Sequence, residues 1–79
     1  MKVQNEFNVS PGWYIARNNH SAWWNLFVYI TNRPPFKCYV STCQGTVDTE
    51  IFPEEIKEVS SRRITFTEFK VLQQLQQKN

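Results

Sequence analysis

His20, Cys43 and Asp48 supply the residue types of a hydrolytic triad: a base, a nucleophile and an orienting acid. Such a triad works only when the three converge within hydrogen-bond reach. His20 is the single histidine and falls in "NNHS" at 18–21, a run of turn formers, and nothing in the spacing draws it toward the other two. A solvated turn histidine is the plainer reading. Zinc fares no better. A structural site takes four Cys or His ligands, usually with a short C-x₂₋₄-C pair, and here Cys38, Cys43 and His20 are the only such residues. The two cysteines sit five residues apart on what reads as one strand, so at about 3.3 Å per residue they lie roughly 16 Å apart. A disulfide needs Cα atoms within about 7 Å. Free thiols are expected, as in a reducing, cytoplasmic setting.

Glu54, Glu55 and Glu58 could pair as general acid and base, but "PEEIKEV" at 53–59 explains them differently. Proline followed by two carboxylates suits the positive end of a short helix. The glycines are Gly12 and Gly45 alone, which leaves no phosphate-cradling loop to draw. The expectation is a non-enzyme, with no metal and no cofactor.

The chain has 79 residues, which makes one small domain with a thin stability margin. Hydrophobic residues are 41% and charged residues 20%, as in a globular protein. The net charge is +2, too mild to establish nucleic-acid binding. Five acids against Lys57 leave −4 over residues 48–58, so the remainder carries +6. No apolar run of about 18 residues marks a membrane span. "MKVQNEFNV" lacks the apolar core of a secretory signal.

Alternation organises the first half. Residues 2–9 read as a strand at a sheet edge, with Val3, Phe7 and Val9 on one side. "SPG" turns the chain, "WYIAR" at 13–17 is a second strand, and a third runs from about 22 to 31. "NRPP" at 32–35 breaks the ladder. "FKCYVSTC" at 36–43 is a fourth strand, and 46–52 can form a fifth through Val47 and Ile51. A last helix is announced by Thr65 and Glu68, an S/T-x-x-E capping box. Phe69, Leu72 and Leu75, flanked by Phe66 and Val71, form its apolar stripe. The fold class is therefore α+β: a four- or five-stranded antiparallel sheet over residues 1–79, with one face covered by the C-terminal helix. That helix is expected to cover Trp24, Leu26, Val28, Ile30, Phe36 and Val40, with Leu72 as its anchor.

This leaves the other face. Trp23, Asn25, Phe27, Tyr29 and Thr31 alternate with the aliphatic set, and Tyr39 and Lys37 share their side. Bare, these rings would make a patch at the upper limit for a soluble monomer. Three explanations compete. The chain covers the face as a second core; or the face binds another protein or a second copy of itself; or it stacks single-stranded nucleic acid, with Arg17, Arg33, Lys37, Arg62 and Arg63 on the phosphates. Trp23, Phe27, Tyr29 and Tyr39, rimmed by Arg33 and Lys37, are the expected partner-binding set. Arg17, Lys37, Arg62 and Arg63 are the set for nucleic acid. A short, aromatic-rich chain without a catalytic constellation fits the size class of phage and mobile-element accessory proteins, many of which inhibit a larger host machine by occupying a surface. The expected function is a non-enzymatic module that docks on a larger protein and modulates or inhibits it, such as a host-defence or nucleic-acid-processing complex. The alternative is a single-stranded nucleic-acid-binding domain.

Overall fold

The structure is a computed structural model and describes residues 7–77. Five antiparallel strands form one sheet: β1 Gly12–Asn18, β2 Leu26–Ile30, β3 Phe36–Thr42, β4 Gly45–Ile51 and β5 Ile56–Val59. Their spatial order is β4-β3-β2-β1-β5. One helix, α1 Phe66–Gln77, follows. This is the α+β arrangement expected from the sequence, with β4 and β5 as the sheet's edges.

The alternating patterns place the side chains. Tyr14 pairs with Val28 and Val28 with Cys38, while Ile15 pairs with Phe27 and Phe27 with Tyr39. Period-2 geometry then sends the first set to one face and the second to the other. Tyr14, Ala16, Leu26, Val28, Ile30, Phe36, Cys38, Ile51 and Ile56 form an aliphatic core, with Phe7, Val9, Val40 and Val59 against it. The Tyr14 hydroxyl donates to the Ser10 carbonyl at 2.7 Å, which ties the 7–11 segment to this side. Burial there pushes the Cys38 thiol up to about 12, helped by the nearby Glu55 and Asp48 carboxylates. Cys43 sits exposed in the turn between β3 and β4. That turn ends at Gly45, whose φ of +126° only glycine takes without strain.

Several expectations need correction. Residues 7–9 are not a strand, and 2–6 lie outside the described residues. The third strand is shorter than 22–31: it begins at Leu26, and Trp23 and Trp24 precede it. The short helix expected near 53–59 is present only as its first turn. Pro53–Glu55 make one 3-10 turn, with the Phe52 N–H donating to the Glu55 carboxylate at 3.1 Å. The chain then extends as β5, because pairing with β1 supplies the backbone partners a second helical turn would have had to provide.

The largest correction concerns α1. It does not cover the aliphatic face. Phe69 packs with Ile15, Phe27 and Ile64, joined by Trp13, Trp24 and Tyr39, so the helix lies on the aromatic face. The capping box forms as the sequence implied: the Thr65 N–H donates to Glu68 Oε1 at 2.9 Å and the Glu68 N–H to Thr65 Oγ1 at 3.1 Å. The Thr65 N–H and then Arg62 hold the Glu68 carboxyl below its ordinary range. The face this helix turns inward, however, is Phe69, Gln73 and Gln76. Leu72 is 37% exposed and is no anchor.

Candidate aromatic docking site

The polar inner face of α1 has a local cause. Because β2 starts at Leu26, the backbone of Trp24 has no ladder partner of its own. Gln76 takes that role, accepting from the Trp24 N–H at 3.0 Å and donating to the Trp24 carbonyl at 3.0 Å. Gln73 donates to the same carbonyl at 2.6 Å. The Asn25 side-chain amide donates to the Ser41 carbonyl at 3.0 Å and the Ser41 N–H to the Asn25 carbonyl at 2.9 Å. A leucine at 76 would leave the Trp24 N–H unpaired, at about 1–3 kcal/mol, and one at 73 would remove one of the two donors to the Trp24 carbonyl. Gln73 is only 3% exposed for this reason. The layer carries a residual cost: Asn25 Oδ1 and Gln73 Oε1 are buried without a partner.

This latch fixes where the helix runs. Its first residue, Phe66, meets Phe27 and Tyr39 edge-on, with ring centroids 5.5 and 5.8 Å away. Its later turns sit beside Trp24. The helix therefore covers the Trp24 end of the aromatic face and stops over the middle. Toward the other end, Trp13 stacks on Phe27 with ring centroids at 4.7 Å and planes 7° apart, and lies 5.1 Å from Tyr29 and 5.9 Å from Tyr39. Trp13, Phe27, Tyr39 and Phe66 line an open cleft of about 390 Å³. Tyr29, 38% exposed, flanks it through its contact with Trp13. Phe27 is buried at 3% exposure, sandwiched between Trp13 and Phe69, so it props the other rings from beneath.

The rim is mixed in charge. On the open face, Lys37 pairs in register with Glu50 and Tyr39 with Asp48. Lys70 lies 5.8 Å over the Phe66 ring, its ammonium donating to Thr46 Oγ1 at 3.0 Å. A lining of carbon with alternating charge around it suits burial of apolar side chains, and offers almost no group for proton transfer.

The expected site residues divide. Tyr29, Tyr39 and Lys37 share the open face. Arg33 is exposed in the loop that joins β2 to β3, near the same end. Phe27 is there but beneath the surface. Trp23 lies in the loop before β2, its N–H donating to Ser21 Oγ at 2.9 Å, at the strand's far end from Tyr29. The residues set against phosphate are dispersed. Arg17 is paired with Glu58 and donates to the Ser21 carbonyl at 3.0 Å. Arg62 pairs with Glu68 at 3.1 Å. Arg63 rests on the Gly12 backbone, where a Cβ would meet its Cδ at 2.4 Å. Trp13 and Phe66 were missed. Their signal was type alone: each is an aromatic residue at the start of an element, and only strand register and helix placement bring them together.

No known protein family matches this chain, and neither a curated protein nor a solved structure resembles it. Among the described residues no helix is long and apolar enough to cross a membrane.

Proposed function

We propose that this chain is a non-enzymatic protein-binding module that docks on a larger cytoplasmic machine through its half-covered aromatic face and modulates or inhibits it. The observation that supports this is the position of α1. It buries Phe27 and Phe69 but ends over the middle of the face, so Trp13, Phe27, Tyr39 and Phe66 line an apolar cleft, flanked by Tyr29, with a mixed-charge rim. Buried aromatics ringed by polar groups are the usual anatomy of an interface centre. Asp48 and Glu50 beside the cleft, and the ion-paired state of Arg17 and Arg62, favour a protein partner over phosphate. The mobile-element setting rests on chain size and composition.

Affinity capture from the source cell tests this, comparing the natural chain with Tyr29→Ala. Tyr29 is 38% exposed and its ring meets that of Trp13, so its truncation should move folding stability by less than about 0.5 kcal/mol. Binding should weaken at least about 30-fold, the effect of a hot-spot ring. A partner held equally by both forms would refute the site. Recovery of nucleic acid in place of protein, with salt-dependent affinity, would point to the single-strand-binding alternative.

A further inference from the structure

The outer face of α1 carries an apolar stripe that the fold does not use. Val71, Leu72 and Leu75 are all exposed, and their spacing puts them on one side of the helix. Phe66, also exposed, lies on the opposite flank and belongs to the cleft. Beside the stripe runs a groove of about 260 Å³ lined by Arg62, Thr67, Glu68, Val71 and Leu72. Leu75 stands just beyond it at 62% exposure, the highest among the exposed large apolar side chains.

We infer that this stripe pairs with a second copy of the chain, α1 against α1, antiparallel about a two-fold axis at Leu72. Knob and groove are placed for it. At 1.5 Å rise per residue, Leu75 lies about 4.5 Å along the helix from Leu72 in one direction, and the groove's helical lining is centred roughly 4 Å away in the other. A two-fold axis through Leu72 seats each Leu75 in the other copy's groove, the self-complementary contact of an isologous dimer.

Charge selects the same arrangement. Parallel helices would set Glu68 against Glu68, whereas the antiparallel pair sets it at the level of the uncharged Gln76. Arg62, which pairs with Glu68 beside the N-terminal end, comes with it to the last turn of the opposite helix, where its guanidinium can also face the free carbonyls. Joining two copies β4 edge against β4 edge instead brings the acids Asp48 and Glu50 of two strands together, and like charges directly opposed destabilise a sheet. Because Phe66 is on the other flank, pairing through α1 leaves both aromatic clefts open. The dimer would present two docking sites at once and bind a repeated surface with avidity. The stripe is small, so association belongs with weak interfaces, with a dissociation constant on the order of tens to hundreds of micromolar.

Sedimentation equilibrium of the full chain up to about 1 mM reads this directly, since that concentration exceeds the expected constant. The natural protein should pass from the 9.4 kDa monomer to a dimer. Leu75→Glu should stay monomeric at every concentration with an unchanged circular dichroism spectrum. Leu72→Cys in a Cys43→Ser background should form a disulfide-linked dimer on mild oxidation, because the axis brings residue 72 against itself. Gln74→Cys, off the stripe, should not. If Leu75→Glu fails to fold, the cross-linking pair decides alone. A monomer at the highest concentration, or a dimer that survives Leu75→Glu, overturns the inference.

Discussion

The two faces of the sheet are finished in different ways. On the aliphatic face, Ala16, Val28, Ile30 and Cys38 are sealed completely, and strand side chains alone make most of the core. Its central strands β1, β2 and β3 each pair on both sides, so the ladder serves the backbone at its middle. The aromatic face has one helix for a cover, and that cover is partial. It is held by a single fully buried ring, Phe69, and by two glutamines bonded to the Trp24 backbone. In so small a domain, with little surface to spare for burial, one helix is not enough to close both ends of this face, and it is the region on which the proposed docking rests. The first face is sealed, whereas the second buries Phe27 and Phe69 and leaves Tyr29 and Phe66 exposed.

That division can be broken by removing the ring on which the second face depends. Phe69→Ala should cost about 3–5 kcal/mol, the range for emptying a buried aromatic site. Urea denaturation followed by far-UV and near-UV circular dichroism would measure it. Coincident transitions mean that the two faces fold as one unit. Helical and near-UV aromatic signals lost together ahead of the strand signal would mean that the aliphatic face stands alone, and the two-sided account would have to be redrawn.

A smaller effect is expected from the latch. Gln76→Ala removes the acceptor of the Trp24 N–H, while the Trp24 carbonyl keeps Gln73. The loss should be about 1–2 kcal/mol, that of one buried donor left unpaired. Amide exchange at Trp24 should quicken in step. Unchanged exchange would show that the glutamines do not hold the helix.

The smallest effect sharpens the contrast. Leu72→Ala should change monomer stability, measured at low protein concentration, by less than about 0.5 kcal/mol, as surface truncations do. The same truncation in a buried site costs about 2–5 kcal/mol. A loss of that larger size would mean that α1 rotates to bury its leucines.

The rotation of α1 is also where reading by periodicity failed. Leu72 and Leu75 with Phe69 make a clear stripe, and the glutamines lie off it. The helix docks by the glutamine side because the surface it meets is not purely apolar: it includes the unladdered backbone of Trp24. Which backbone groups go unpaired depends on where β2 begins, and "SAWWNLFVYIT" alternates smoothly through that point. The 53–59 stretch was legible only at its start: "PEEIKEV" opens with the expected turn at Pro53–Glu55, and only the neighbouring edge of β1 makes Ile56–Val59 β5.

By itself the sequence determined the antiparallel sheet, the segregation of an aliphatic from an aromatic face along β2 and β3, the break at the prolines, and the Thr65–Glu68 start of α1. These are local matters: side-chain alternation, turn chemistry and reciprocal capping act within a few residues. Tertiary structure alone decided which face the helix covers, how far along it reaches, that Trp13 and Phe66 join Tyr29 and Tyr39, and that Val71, Leu72 and Leu75 are left outside. Those outcomes depend on unpaired backbone groups and ring contacts between residues distant in the chain. The cost of leaving such groups unsatisfied appears only when the elements meet, and a one-dimensional pattern carries no term for it.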